Sequence, residues 1–319
     1  MPNIVVLGNF VVDIIGKPID GLPERGRLAL IDTLETHPGG NGPNTAGALG
    51  KLAARDGGDM GVAVAGRVGE DLYGRFLTEA LEGWGVDTRA VFRDPERATA
   101  LTLVAVDSTG ERSFIHHLGA NAAFGPEDVR WELFGGARHL HLASYFILPS
   151  LEGEAAAGVL AEARGRGMTT SLDVCWDREG RWLESLSPCL PHLDYLMPSE
   201  DEARAMTGRE EPAEMADVFH AAGARAVVIK LGERGCYYAD AEQRFALPAY
   251  AVEVRETTGA GDCFCAGFLH AMTRGWDLHR ALRLGNACGA RSVGAVGAVT
   301  GMGAAEEIEE WAKTQPLRG

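Results

Sequence analysis

The chain has 319 residues, 46% hydrophobic and 24% charged, a composition that buries a substantial core and excludes a disordered chain or a collagen-like repeat. Thirty Lys and Arg against 45 Asp and Glu leave a net charge of −15. A surface this acidic repels phosphate backbones and anionic lipid, which argues against nucleic acid or a membrane as partner.

Residues 4–7 are an apolar β-rich run ended by Gly8, the pattern of a buried strand. No basic flank or long apolar run precedes it and no stretch reaches ~18 apolar residues, so neither a signal peptide nor a membrane span is expected. Residues 11–36 then alternate in strand fashion with no helix. Helices are predicted over 45–54, 72–84, 151–166, 199–207, 213–222, 261–274 and 278–293, and further strands over 62–65, 139–142, 169–173, 195–197, 226–229 and 236–238. This alternation indicates a mostly parallel sheet covered on both faces. Residues 99–117 break it again, folding about Ser108-Thr109-Gly110-Glu111 as a hairpin. Together with 11–36 they are expected to build a small antiparallel sheet, either a lid or edge strands of the main sheet. With no repeat and no low-complexity linker, 1–319 reads as a single domain with these two segments inserted. Six cysteines without CxxC spacing read as reduced thiols of a cytoplasmic protein.

Glycine is the outlier: 42 residues, about 13% against a usual ~7%, which asks for backbone that turns tightly or approaches a ligand. Gly8 is not followed by the Gly-x-Gly-x-x-Gly of a dinucleotide fold, and Gly50-Lys51 lacks the first glycine and the Ser/Thr of a P-loop. What remains is Thr257-Thr258-Gly259-Ala260-Gly261-Asp262 before the small, apolar run 263–271. Small residues leading into a helix leave unpaired N–H groups at its positive end, a seat for an anion or a transferring phosphoryl group. Asp262 in the first turn either accepts a proton from an attacking hydroxyl or merely complements the helix dipole.

This turn resembles the C-terminal signature of the ribokinase-like, or PfkB, carbohydrate kinases. Gly39-Gly40-Asn41-Gly42-Pro43-Asn44 is similar to their first signature, about 220 residues earlier, and Asp13, Gly119-Ala120-Asn121-Ala122, 199–202, 230–235 and Asn286 extend the likeness over nearly the whole chain. The resemblance implies a ribokinase-like αβα sandwich with a β lid, and ATP-dependent transfer of the γ-phosphoryl group to a hydroxyl, usually primary, of a sugar or sugar derivative. It makes Asp262 the base and Gly259, Ala260 and Gly261 the anion hole. Asp13, Gly39, Gly40, Asn44 and Asn121 fall in the sugar site, and Ser199, Glu202, Lys230, Gly232, Gly235 and Asn286 along the nucleotide groove. Glu202 is implied as the acid that holds Mg²⁺ through water, and a homodimer through the lid is implied as well.

Four departures qualify the likeness. Ser199 replaces an asparagine, Val11 a polar residue typical of ribokinases proper, and 173–177 differ from the Asp-Pro-Asn-x-Arg stretch of fructokinases. Glu256 stands where many members have an aspartate that helps hold a monovalent cation; its longer side chain displaces the carboxylate and argues against K⁺ activation. A nucleoside kinase, with Phe10, Phe114 or Tyr145 as a wall for the base, is the alternative substrate reading. A non-catalytic sugar or nucleotide sensor is the alternative class. Arg112 and Phe114 are candidates for substrate or subunit contact, and His116-His117 sends one ring toward the site or lies at the surface. His139 and His141 share one side of a strand as polar sheet positions or a metal pair, and Cys263 and Cys265 read as packed helix residues.

Overall fold

The computed structural model describes residues 1–55 and 60–318. Its strands are β1 (Pro2–Leu7), β2 (Val11–Lys17), β3 (Thr33–Gly39), β4 (Gly61–Gly69), β5 (Val86–Asp94), β6 (Ala100–Val106), β7 (Arg112–His117), β8 (His139–Tyr145), β9 (Thr169–Val174), β10 (Tyr195–Leu196), β11 (Val227–Lys230), β12 (Cys236–Ala239) and β13 (Arg244–Leu247). The helices are α1 (Asn41–Leu52), α2 (Leu72–Gly83), α3 (Glu154–Gly165), α4 (Trp182–Leu186), α5 (Glu200–Thr207), α6 (Pro212–Ala221), α7 (Ala260–Thr273), α8 (Leu278–Val293) and α9 (Ala305–Thr314).

Nine strands form one sheet in the order β13-β12-β11-β10-β9-β8-β1-β4-β5. All its pairings are parallel except β11 with β12 and β12 with β13. β1 shows why the sheet needs helices on both faces. Ile4 and Val6 enter a core with Leu49 of α1, Leu77 of α2, Phe268 of α7 and Leu282 of α8. Val5 and Leu7 point the other way, into a core with Leu160 of α3, Ala203 of α5 and Phe219 of α6. A strand buried on both faces is apolar along its buried length, as this one is from Ile4 to Leu7.

The remaining strands make a separate four-stranded sheet, β3-β2-β6-β7. The predicted hairpin closes it, with the Asp107 N–H donating to the Glu111 carbonyl at 2.9 Å. The expectation of an antiparallel sheet needs correction: β2 and β6 pair in parallel. They can do so because the chain crosses the whole β4–α2–β5 unit between them, whereas a hairpin would force the antiparallel arrangement.

Other differences share a cause. β5 and β13 are the two outer strands of the large sheet, half-exposed and interrupted by charge, so their periodicity is weak. α9 buries only Ala305 and Ile308. α1 begins at Asn41, four residues before the predicted start, through Gly42 and Pro43, which read as loop. No helix among the described residues is long and apolar enough to cross a membrane, and all six cysteines are free.

Candidate active site

The carboxyl ends of β1, β8, β9 and β11 meet the N-termini of α1 and α7, the place where open α/β sheets bind ligands. Gly8 lets α1 come this close: a Cβ there would lie 2.7 Å from Gly42 Cα. Asn9 secures the contact, its Oδ1 accepting from the Asn41 N–H at 2.9 Å and from the Ser144 hydroxyl at 2.5 Å. Ser144 holds a left-handed φ of 73° to do this, a conformation that a non-glycine residue keeps only under tertiary constraint.

Asp262 lies in the first turn of α7, 5% exposed. Asn41 Nδ2 donates to its Oδ1 and Asn44 Nδ2 to its Oδ2, both at 2.9 Å. Burial, and then the charge of Asp173, push its pKa up to about 7 against the pull of Asn44, Lys230 and Asn41. The pair Asp173–Lys230 sits beside it, with Lys230 Nζ 2.6 Å from both carboxylate oxygens. Burial opposes the charge on Lys230, but Asp173 and Glu202 outweigh it and its pKa rises.

Gly259 caps α7 at φ 77°, and a Cβ on it would fall 2.4 Å from Ala298 Cβ. The amides of Gly259, Gly261 and Asp262 have no backbone acceptor among the described residues, whereas Ala260 N–H donates to the Thr257 carbonyl at 3.2 Å. Three amides of the turn are thus left without a backbone acceptor, while that of Ala260 is engaged within the turn.

On one side of the turn lies a cavity of about 300 Å³ lined by Lys230, Gly232, Gly235, Gly261 and Asn286, with Val252, Val254, Phe264 and Val293 as apolar wall. Asn286 Nδ2 donates to the Pro248 carbonyl at 3.1 Å and so helps hold that wall. Ser199 and Glu202 lie at the start of α5, where the Ser199 N–H donates to Glu202 Oε2 at 2.7 Å and Ser199 Oγ accepts the Glu202 N–H at 3.4 Å. The serine that departs from the family pattern is thus a helix cap. Burial, with Asp173 nearby, raises the Glu202 pKa against the pull of Lys230, a cost that a bound cation relieves. Among the described residues no three His, Cys, Asp or Glu group into a metal site. One hard carboxylate fits Mg²⁺, which takes its other ligands from water and phosphate oxygens.

On the other side, Asp13, Gly39, Asn44, Glu256 and Thr258 line a cleft of about 30 Å³ beneath the small sheet. Asp13 lies against Gly39, where a Cβ would be 2.2 Å from its Oδ2; Gly40 has φ 91°, and a Cβ on it would be 2.4 Å from the Asn9 carbonyl. Burial raises the Asp13 pKa, opposed by a hydrogen bond with Thr102 and by His37. Strand register places His37, Asp13, Thr102 and His116 in one row across the sheet, and Thr102 Oγ1 lies 3.0 Å from His116 Nδ1. Asn121 does not face the cleft with them. Fully buried, it accepts the Phe10 N–H and donates to the Phe10 carbonyl, bracing the chain that enters β2.

Glu256 is buried, with both carboxylate oxygens hydrogen-bonded. Arg112 Nη1 of β7 donates to Oε1 at 2.9 Å, Thr258 Oγ1 to the same oxygen at 3.1 Å, and the Gly297 N–H to Oε2 at 2.7 Å. Burial opposes ionisation, but these bonds outweigh it and hold the carboxyl below its usual range. A soluble monovalent cation does not fit a carboxylate already paired with a guanidinium.

The sequence profile of the pfkB family carbohydrate kinases matches residues 1–304. The chain belongs to this family. As a pfkB carbohydrate kinase it is 30% identical over 282 residues to the ATP-dependent ribose-1-phosphate kinase of Halopiger xanaduensis, with 88% of each chain covered. It is 29% identical over 292 residues to the aminoimidazole riboside kinase of Salmonella typhimurium, covering 88% of this chain and 89% of that one. The structure of Arabidopsis thaliana ribokinase complexed with ribose and ATP superposes with a TM-score of 0.86 at 28% identity, over 98% of this kinase and 99% of that chain. The expected fold is therefore the observed one: a ribokinase-like sandwich with a small separate sheet.

Sequence reasoning missed two residues that the structure brings to the candidate site beside Asp262. Asn41 shares one helix face with Asn44 at i, i+3 spacing, visible only once α1 starts at 41. Asp173 ends a parallel strand on the ligand-binding side of the sheet, a position that could have flagged it. The wall residues considered for a nucleoside base also divide. Phe10 is fully buried, and Tyr145 is fully buried with its hydroxyl donating to the Ser185 carbonyl at 2.6 Å. Phe114 is 64% exposed, between Arg112 and His116 on the cleft side of β7.

Proposed function

We propose that this kinase transfers the γ-phosphoryl group of ATP to a hydroxyl, in the first instance a primary one, of a monosaccharide or sugar derivative of the ribokinase or fructokinase type. The observation that carries the reading is Asp262. A buried carboxylate with a pKa near neutrality, aimed by two asparagines, sits beside unpaired amides between an apolar groove and a polar cleft. Asp262 takes the proton as the substrate oxygen bonds to the γ-phosphorus and the bond to the ADP oxygen breaks. Gly259 and Gly261 amides stabilise the charge on the moving group. Mg²⁺, when bound by Glu202 through water, supplies charge neutralisation on the phosphate oxygens.

Asp13 and Asn44 bind sugar hydroxyls in this reading. The cleft has room for roughly one or two waters, so the small sheet acts as a lid that opens to admit the sugar and closes to exclude competing water. Leu28, Leu30, Leu34 and Ile115 are exposed on or beside this sheet, which supports a homodimer through the lid; the mass in solution tests it. The exposed Phe114 favours a nucleoside as the second reading, because a base can stack on its ring.

The test is ADP release with ribose, fructose, 2-keto-3-deoxygluconate, adenosine and inosine. A sugar turning over at least about tenfold faster than the nucleosides supports the first reading, and the reverse order the second. Ligands that raise thermal stability without ADP release point instead to a sensor.

A further inference from the structure

Glu256 opens the turn that ends in the anion-binding amides, and its partner comes from the lid, 144 residues away in the chain. We propose that the Arg112 guanidinium is a built-in cation that replaces a soluble monovalent ion at Glu256, and is thereby a positioning residue for phosphoryl transfer. The inference rests on the assignment of Gly259 and Gly261 as the anion hole.

The length of the acid is the first argument. An added methylene carries the carboxylate about 1.5 Å farther from the turn backbone than an aspartate would, to where Arg112 Nη1 reaches it at 2.9 Å. Occupancy is the second. Oε1 accepts two hydrogen bonds and Oε2 one, at a residue 8% exposed. A K⁺ ion would have to displace these donors and sit next to a fixed positive charge. Connectivity is the third. Glu256 ties together three pieces: Arg112 on the lid, Thr258 in the turn, and Gly297, whose neighbour Ala298 packs against Gly259. When the lid lifts, Arg112 leaves with it, so the turn holds its working geometry only while the sugar site is covered. A soluble ion would brace the turn whether the lid is open or shut.

The experiment compares full-length wild type, Arg112→Ala and Arg112→Lys in KCl and in N-methylglucamine chloride at equal ionic strength. Turnover on the preferred substrate and Tm are both read. Wild type should give kcat values within about twofold and Tm values within about 1 °C in the two salts. Arg112→Ala should lose about 10–100-fold in kcat with KM for ATP changed less than about threefold, the signature of misplacement rather than lost binding. K⁺ or millimolar guanidinium should restore part of that loss, K⁺ should raise the variant's Tm, and Arg112→Lys should lie between. A tenfold K⁺ stimulation of wild type, a K⁺-dependent Tm in wild type, or an Arg112→Ala enzyme indifferent to both cations overturns the proposal. The Tm comparison needs no substrate, so it stands apart from the sugar-kinase reading.

Discussion

Asp262 combines two demands that oppose each other. In the proposed mechanism burial beside the transferring group protects the reaction from water, yet it disfavours the carboxylate that must accept the proton. The balance is a pKa of about 7, where a base is partly free at neutral pH and still strong enough to take a proton. The sign follows directly. Protonation disables the base, so kcat/KM should fall as pH drops below about 7 and level off above it. Asp262→Asn should lower kcat by about 10²–10⁴ with little change in ATP affinity, and near wild-type turnover in that variant would refute the assignment. Asn41 and Asn44 both pull the pKa down by donating to the charged form. Asn41→Ala should therefore move the acid limb of the pH profile to higher pH, a displacement that mere loosening of α1 would not produce.

At the scale of elements, β8 and β9 carry a buried polar row. Ser171 Oγ lies 2.7 Å from His139 Nε2 and from His141 Nδ1, and Thr169 Oγ1 lies 2.7 Å from His139 Nδ1. This is a hydrogen-bonded seam inside the sheet, one of the two readings that the His-x-His spacing left open. Burial lowers the His139 pKa to about 4 and the His141 pKa well below its usual value. Unfolded, each titrates near ~6.5, so between about 6.5 and 4 the unfolded chain binds more protons and the fold loses stability as pH falls. The drop in Tm between pH 7.5 and 5 should be smaller in His139→Gln than in wild type; equal slopes would place the acid sensitivity elsewhere. The same elements show which signals the sequence carries. β1, apolar and buried from Ile4 to Leu7, α7, buried from Asp262 to Ala271, and α8, with one buried and one charged face, are legible because burial dictates their residue types. α1 is legible from 45 onward despite Gly47 and Gly50, where a Cβ would fall within 2.4 Å of Trp84; its first turn is not, because Gly42 and Pro43 carry a loop signal that a helix start tolerates. Asp13, Gly39, Gly40, Asn44 and Asp262 lie in short motifs and could be placed from them. The Arg112–Glu256 and Lys230–Asp173 pairs depend on how the two sheets are threaded, which no local window contains.

For the whole molecule the question is how a chain of net charge −15 captures a polyanion. The cations lining the groove do not create a surplus of positive charge: Lys230 is paired with Asp173 and Arg318 with Glu233. In the proposed mechanism what attracts the phosphates is short-ranged, namely the amides of Gly259 and Gly261 and a Mg²⁺ that arrives with the nucleotide. At longer range the acidic surface repels MgATP, and that repulsion is screened over about 10 Å at 0.1 M salt and about 30 Å at 0.01 M. Raising ionic strength from about 10 to 150 mM with N-methylglucamine chloride should therefore leave kcat/KM for ATP unchanged or raise it by up to a few fold. A basic nucleotide groove would show the opposite slope. A loss of more than about threefold over this range would mean that the field at the groove mouth is positive despite the net charge, and that capture is steered by unpaired lysine or arginine at the rim.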